Sequence, residues 1–236
     1  TITNAAREPV ISDLVDFLNK CGARIVETGE GTIVISGVES LHGAVHTVIP
    51  DRIAATTYMT AASVTGGNLL LHSVEPAHLG QVVPMFEEAG CMVRCRENEL
   101  LIQAPQRLRP IKIVRTMPYP GFPTDAQAPV MAMTTLASGT SVFVENIFES
   151  RYKHVGELLR LGANIKVEGR VAVVEGVDHL SGAEVEAPDL RGAAALVTAG
   201  LAAEGITQVN GLHHLDRGYE RLEKSLTAVG AAIKRI

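Results

Sequence analysis

Four side chains carry the chemistry that the sequence offers most plainly: Asp125, Arg151, Arg191 and Arg217. Arg191 follows Asp189-Leu190 at the start of a predicted apolar helix, where the peptide dipole favours anions. A guanidinium is out of place there unless it helps to hold an anion. Arg151 and Arg217 stand on turns ahead of two predicted amphipathic helices, again near helix starts. Three arginines at related places suggest one convergent anion site. Solvated surface charge is the plainer alternative, and composition alone favours it. Asp125, directly after Pro123-Thr124, reads equally well by itself as an ordinary helix N-cap.

The elements that position these residues come from an internal repeat. Gly22-Ala23-Arg24-Ile25, Gly90-Cys91-Met92-Val93, Gly162-Ala163-Asn164-Ile165 and Gly230-Ala231-Ala232-Ile233 share one pattern, with glycines spaced by 68, 72 and 68 residues. Gly67, Gly139 and Gly205 precede the last three by 23, 23 and 25 residues. Each of the four segments follows an amphipathic helix and opens a strand, with glycine as the left-handed stop. Ile11, Leu14, Val15 and Leu18 give the apolar stripe of the first helix, and Tyr219, Leu222, Leu226 and Val229 that of the last. Hairpins are expected to turn near Gly29-Glu30-Gly31, Glu97-Asn98 and Glu168-Gly169. Strands are expected over 140–145 and 206–210.

A second kind of helix starts near Asp51, Thr124 and Asp189. The last of these, residues 190–203, is apolar nearly all round and must be buried on every side. Each unit therefore reads βαβαββ or a permutation of it, an α/β repeat with buried helices and outer sheets. Superposing the copies puts Ile53, Asp125 and Arg191 at one equivalent position. The first copy lacks the buried helix and begins partway through its unit. Copy four reaches Ile236 before any hairpin. A domain boundary is expected near 48–51, where Pro50 interrupts.

Composition narrows the function classes. Of 236 residues, 46% are hydrophobic and 20% charged, which excludes general disorder, while a net charge of -5 without a basic run disfavours nucleic acid as a partner. No segment approaches the apolar length of a membrane span. Nothing at Thr1-Ile2-Thr3-Asn4 marks export, so a cytoplasmic location is expected. Cys21, Cys91 and Cys95 cannot all pair with one another and read as buried structural thiols in a reducing compartment. Cys91 and Cys95 are expected to face the same way, too far apart for a disulfide. His213 and His214 should point apart, with local hydrogen bonds rather than a metal. No glycine-rich phosphate loop is present.

Five motifs then occur in a telling order: Asn4-Ala5-Ala6-Arg7-Glu8-Pro9, Phe122-Pro123-Thr124-Asp125-Ala126-Gln127, Phe148-Glu149-Ser150-Arg151-Tyr152, Asp189-Leu190-Arg191 and His214-Leu215-Asp216-Arg217-Gly218-Tyr219-Glu220-Arg221. Together they resemble the enolpyruvyl transferase family, and within it the members that act on UDP-N-acetylglucosamine at the first committed step of peptidoglycan synthesis, a process tied to cell wall biogenesis, cell shape and cell division. The resemblance runs from Thr1 to Ile236. It implies an inside-out α/β barrel of βαβαββ repeats, truncated at its N-terminus. Residues 1–49 would be the last repeat of the domain that carries the catalytic loop, and 50–236 most of the second domain.

By the same resemblance, Asp125 is the general base on the sugar 3-hydroxyl and Ile147 lines the UDP-N-acetylglucosamine site. Arg151, Arg191 and Arg217 hold the phosphate and carboxylate of phosphoenolpyruvate, and Glu149 sits beside the reacting centre. Neither a cofactor nor a metal is implied. The missing N-terminal half would supply the remaining contacts and the proton donor, and this chain by itself would be inactive. Tyr119 departs from the pattern, standing where some members have His. A non-catalytic repeat scaffold and a relative acting on 3-phosphoshikimate are the alternatives, and Asp125 together with three arginines speaks against the scaffold.

Overall fold

The predicted helix stop at glycine is present in all four copies of the repeat in the computed structural model, which describes residues 1–29 and 31–236, and a strand follows it in the first three, while 231–236 form none. Gly22, Gly90, Gly162 and Gly230 have φ of +95°, +96°, +91° and +102°, a left-handed conformation that only glycine adopts without a Cβ clash. After each glycine the next N–H donates five residues back: Ala23 to the carbonyl of Leu18, Cys91 to Phe86, Ala163 to Leu158 and Ala231 to Leu226. One helix stop is thus built four times.

The first unit consists of α1 (Pro9–Lys20) and a hairpin of β1 (Arg24–Thr28) and β2 (Thr32–Ser36), paired from Arg24↔Ser36 to Thr28↔Thr32. Glu30 of its expected turn lies outside the described residues. The second unit runs α2 (Arg52–Val64), β3 (Asn68–His72), α3 (Val83–Glu88), β4 (Met92–Arg96), β5 (Glu99–Gln103) and β6 (Ile113–Arg115). The third runs α4 (Thr124–Thr134), β7 (Thr140–Val144), α5 (Val155–Arg160), β8 (Asn164–Glu168), β9 (Val171–Glu175), β10 (Leu180–Ser181) and β11 (Glu184–Glu186). The fourth holds α6 (Leu190–Ala202), β12 (Ala203–Glu204), β13 (Gln208–Asn210) and α7 (Leu222–Ala228).

Strands β3-β5-β4 form one antiparallel sheet, and β6-β7-β9-β8 a second in which β6 runs parallel to β7. Strands of the third and fourth units also meet, where β10 runs parallel to β12 and β11 parallel to β13. The hairpins turn where alternation predicted, between Arg96↔Glu99 and between Glu168↔Val171. The sheets stay separate and do not join into a closed barrel among the described residues.

Helices α2, α4 and α6 pack against one another at the centre. They have no polar face, and their buried hydroxyls turn back onto their own helix. Thr57, Thr60, Ser63 and Thr198 each donate to the carbonyl four residues earlier, at 3.1, 2.8, 2.8 and 2.7 Å, so no buried donor is left bare. Asp51 and Asp189 cap α2 and α6 by accepting N–H bonds from Ile53 and Ala54, and from Arg191 and Gly192. The two core clusters draw on residues between Ala54 and Ile233, and the described residues of 1–49 contribute to neither. Residues 37–51 have no regular structure.

Three expectations are corrected. Cys95 is exposed while Cys91 is buried: Cys91 precedes β4 rather than lying on it, so strand alternation does not relate the two. Of the α1 stripe, Leu14 is exposed and only Pro9 of the helix is fully buried, because α1 packs mainly on its own hairpin. Tyr219 lies before α7 and Val229 after it, so only Leu222 and Leu226 of that stripe are buried helix residues. Among the described residues, no helix is long and apolar enough to cross a membrane.

Candidate active site

The site gathers at the N-terminal ends of the three central helices. Ile53, Asp125 and Arg191 are each the second residue of their helix, in α2, α4 and α6, as the repeat superposition requires. α4 differs from its two sisters in one respect. Its cap is Pro123, without a side-chain cap bond, and its carboxylate has moved two residues inward. Asp125 is therefore not an N-cap. Its Oδ1 accepts from Arg151 Nη2 at 2.5 Å and its Oδ2 from Arg191 Nη2 at 2.9 Å.

Two guanidiniums thus hold one carboxylate, and both come from residues singled out by sequence. Arg151 also donates from Nη2 to the Thr124 carbonyl at 3.4 Å and lies 5.3 Å from the Phe148 ring centroid. Burial works to raise the Asp125 carboxyl pKa, but the hydrogen bonds and charges of Arg191 and Arg151 outweigh it, and the net shift is downward. Asp125 is accordingly ionised at neutral pH. Burial lowers Arg191, yet its bond to Asp125 prevails and holds the guanidinium charge above its ordinary range. The clamp carries one negative and two positive charges, so an excess positive charge remains for an anionic ligand.

The other predicted residues stand apart from this clamp. Arg217 is exposed in a short 3-10 turn, Leu215–Arg217, and forms no ion pair with Asp125 among the described residues. The clamp on Asp125 therefore joins two of the three arginines, and Arg217 stands outside it. Glu149 has an 89% exposed side chain and lies 3.7 Å from Arg170. Ile147 is partly exposed, and its N–H donates to Glu145 at 2.8 Å. The His213 and His214 rings do not point apart; their centroids are 4.0 Å from each other in the turn before Leu215. The described residues hold no group of three or more metal-ligating side chains.

Four residues near the clamp escaped sequence reasoning. Tyr219 is buried, shares a 2.7 Å hydrogen bond with Thr57 of α2, and has its hydroxyl beside the Arg191 guanidinium. Arg52 opens α2, and its guanidinium lies 5.1 Å from the Tyr119 ring centroid; burial lowers its pKa, with Glu8, Tyr119, Asp125 and Asp51 acting against that. His154, beneath the Arg151 turn, is buried with a pKa lowered to about 4, burial being the main cause. Glu145 is buried among hydroxyls and N–H groups. The repeat superposition carried a signal for Arg52, which stands one residue before the shared helix position. The other three are placed by tertiary contacts alone.

Residues 1–226 match the family model of EPSP synthase (3-phosphoshikimate 1-carboxyvinyltransferase). The chain belongs to this family. Within it, the chain is 53% identical to UDP-N-acetylglucosamine 1-carboxyvinyltransferase 1 of Caldanaerobacter subterraneus subsp. tengcongensis, over 99% of this chain and 56% of that protein. It is 51% identical to the UDP-N-acetylglucosamine 1-carboxyvinyltransferase of Geobacter metallireducens, over 100% of this chain and 56% of that protein. Among solved structures, the enolpyruvyl transferase NikO from Streptomyces tendae superposes with a TM-score of 0.86 at 30% identity, covering 97% of this chain and 55% of that one. An EPSP synthase from Acinetobacter baumannii shares the fold at a TM-score of 0.70 and 20% identity, over 92% of this chain and 54% of that one. The chain spans a little over half the length of the relatives it matches.

Proposed function

We propose that the longer protein carrying this chain transfers the enolpyruvyl group of phosphoenolpyruvate to the 3-hydroxyl of UDP-N-acetylglucosamine, releasing phosphate, as the committing step of peptidoglycan synthesis in the cytoplasm. The observation that carries this reading is the clamp of Asp125 between Arg151 and Arg191, at 2.5 and 2.9 Å. An ionised carboxylate can take the hydroxyl proton as the sugar oxygen attacks C2 of phosphoenolpyruvate. The arginines offer planar forks that match its phosphate and carboxylate. When the substrate anion draws the guanidiniums, it loosens their hold on Asp125 and makes that carboxylate a stronger base.

In this reading Ile147 lines the nucleotide-sugar site, Glu149 approaches the reacting centre, and Arg217 turns inward only when the substrate anion is bound. Residues 1–49 belong to one domain and 50–236 to a second, a division supported by the absence of 1–49 from both core clusters. Identities of 50–53% to proteins named for UDP-N-acetylglucosamine favour that acceptor over 3-phosphoshikimate. The test is phosphate release by the longer protein: it should require both substrates, and Asp125→Ala should lower turnover by on the order of 10²–10⁴-fold. Near-normal turnover in that variant would remove Asp125 as the base.

A further inference from the structure

Glu145 is the most enclosed acidic side chain among the described residues, 1% exposed. No cation pairs with it there. Its Oε1 accepts from Thr116 Oγ1 at 2.8 Å, from the Ile147 N–H at 2.8 Å and from the Phe148 N–H at 3.1 Å. Its Oε2 accepts from Thr124 Oγ1 at 3.0 Å. Thr116 Oγ1 in turn accepts the Asn146 N–H at 2.9 Å. A carboxylate this deep is strongly disfavoured unless its lone pairs are met, and here four neutral donors meet them.

Those donors belong to three separate segments: the chain just after β6, the first residue of α4, and the turn after β7. Two of these deliver the clamp. Thr124 adjoins Asp125, while Ile147 and Phe148 lead into the turn that carries Arg151. The Arg151–Asp125 contact is therefore made between two elements that share a single buried carboxylate as their anchor. A shift of about 1 Å in such a contact is enough to cost on the order of 10²-fold in rate.

We infer that Glu145 is a positioning residue, which through Thr124 and the 146–151 turn holds Asp125 and Arg151 in register. The inference rests on the functional reading above. Thr124→Val tests it with the least damage, because it cuts only the tie to α4 and leaves the Thr116, Ile147 and Phe148 bonds in place. In the longer protein, Thr124→Val should lower kcat by about 10–100-fold, with the KM for the nucleotide sugar changed less than about threefold, and Thr124→Ser should restore most of the loss. Glu145→Gln keeps an acceptor for three donors and can turn its amide to Thr124, so it should stay within about tenfold of wild type, whereas Glu145→Ala should fall further. If wild type turns over and Thr124→Val matches it within twofold, or if serine fails to rescue, the inference is overturned. A wild-type protein that turns over neither substrate overturns the functional reading alone. Positioning is then read from the NMR signal of the Arg151 Nε–H, which Thr124→Val should shift and Thr124→Ser leave in place; an unmoved signal in both overturns it.

Discussion

Asp125→Asn keeps the shape of the side chain and removes its charge, which leaves the Arg151 and Arg191 guanidiniums facing one another across a neutral amide. The amide oxygen can still accept from one arginine, but its NH₂ meets the donors of the other. The arginine side chains are 18% and 16% exposed, and the Asp125 side chain is 40% exposed. Breaking a fully buried pair costs about 3–5 kcal/mol, and a solvated pair contributes about 0–1 kcal/mol. The exposure of Asp125 places the clamp towards the lower figure, at about 1–2 kcal/mol, including the favourable position of a carboxylate in the first turn of α4. With a urea slope of about 3 kcal/mol per M for a chain of this size, the midpoint should fall by roughly 0.5 M at pH 7.

The pH dependence supplies the control. The folded Asp125 carboxyl titrates below its ordinary 3.8, so its contribution is complete above that value and is lost as pH falls through the lower folded value. The gap between wild type and Asp125→Asn should therefore be full at pH 7 and narrower at pH 3. Urea titrations of both proteins at the two pH values measure it. Equal midpoints at pH 7, or a gap that is constant between pH 7 and pH 3, would refute the clamp as a source of stability.

Two further outcomes follow from the same chemistry. His154 titrates near 6.5 when unfolded and at about 4 when folded, so between those values the unfolded chain binds a proton that the folded chain refuses. Stability should fall by up to about 3 kcal/mol as pH drops from 6.5 to 4; His154→Gln should flatten that part of the curve, and parallel curves would argue against it. The 236-residue chain, given both substrates, should release no phosphate, because the proposed reaction needs an acid to protonate C3 of phosphoenolpyruvate and closure around the reactants; release that requires UDP-N-acetylglucosamine and is abolished by Asp125→Ala would contradict this.

The sequence by itself determined the repeat and its hardware. Four glycines spaced by 68, 72 and 68 residues announced four identical helix stops, because a left-handed residue after a helix is a local requirement that glycine meets alone. The apolar run from Leu190 announced a central helix, and aligning the copies set Asp125 and Arg191 at the same helical position. These are properties of periodicity and of single residues, and they do not depend on how the units pack.

Tertiary structure decided which charges meet. Sequence order gave Arg151, Arg191 and Arg217 equal standing, but among the described residues the first two bond Asp125, while Arg217 lies on an exposed turn. It also decided whether Asp125 caps its helix or faces the arginines, a choice that local sequence left even. Glu145 and His154 carried no mark in the sequence, since a buried carboxylate and a neutral imidazole are defined by neighbours drawn from distant segments. Leu14 was misread for the same reason: periodicity says which side chains share a face, but burial requires another element to cover that face, and only the packed chain supplies one.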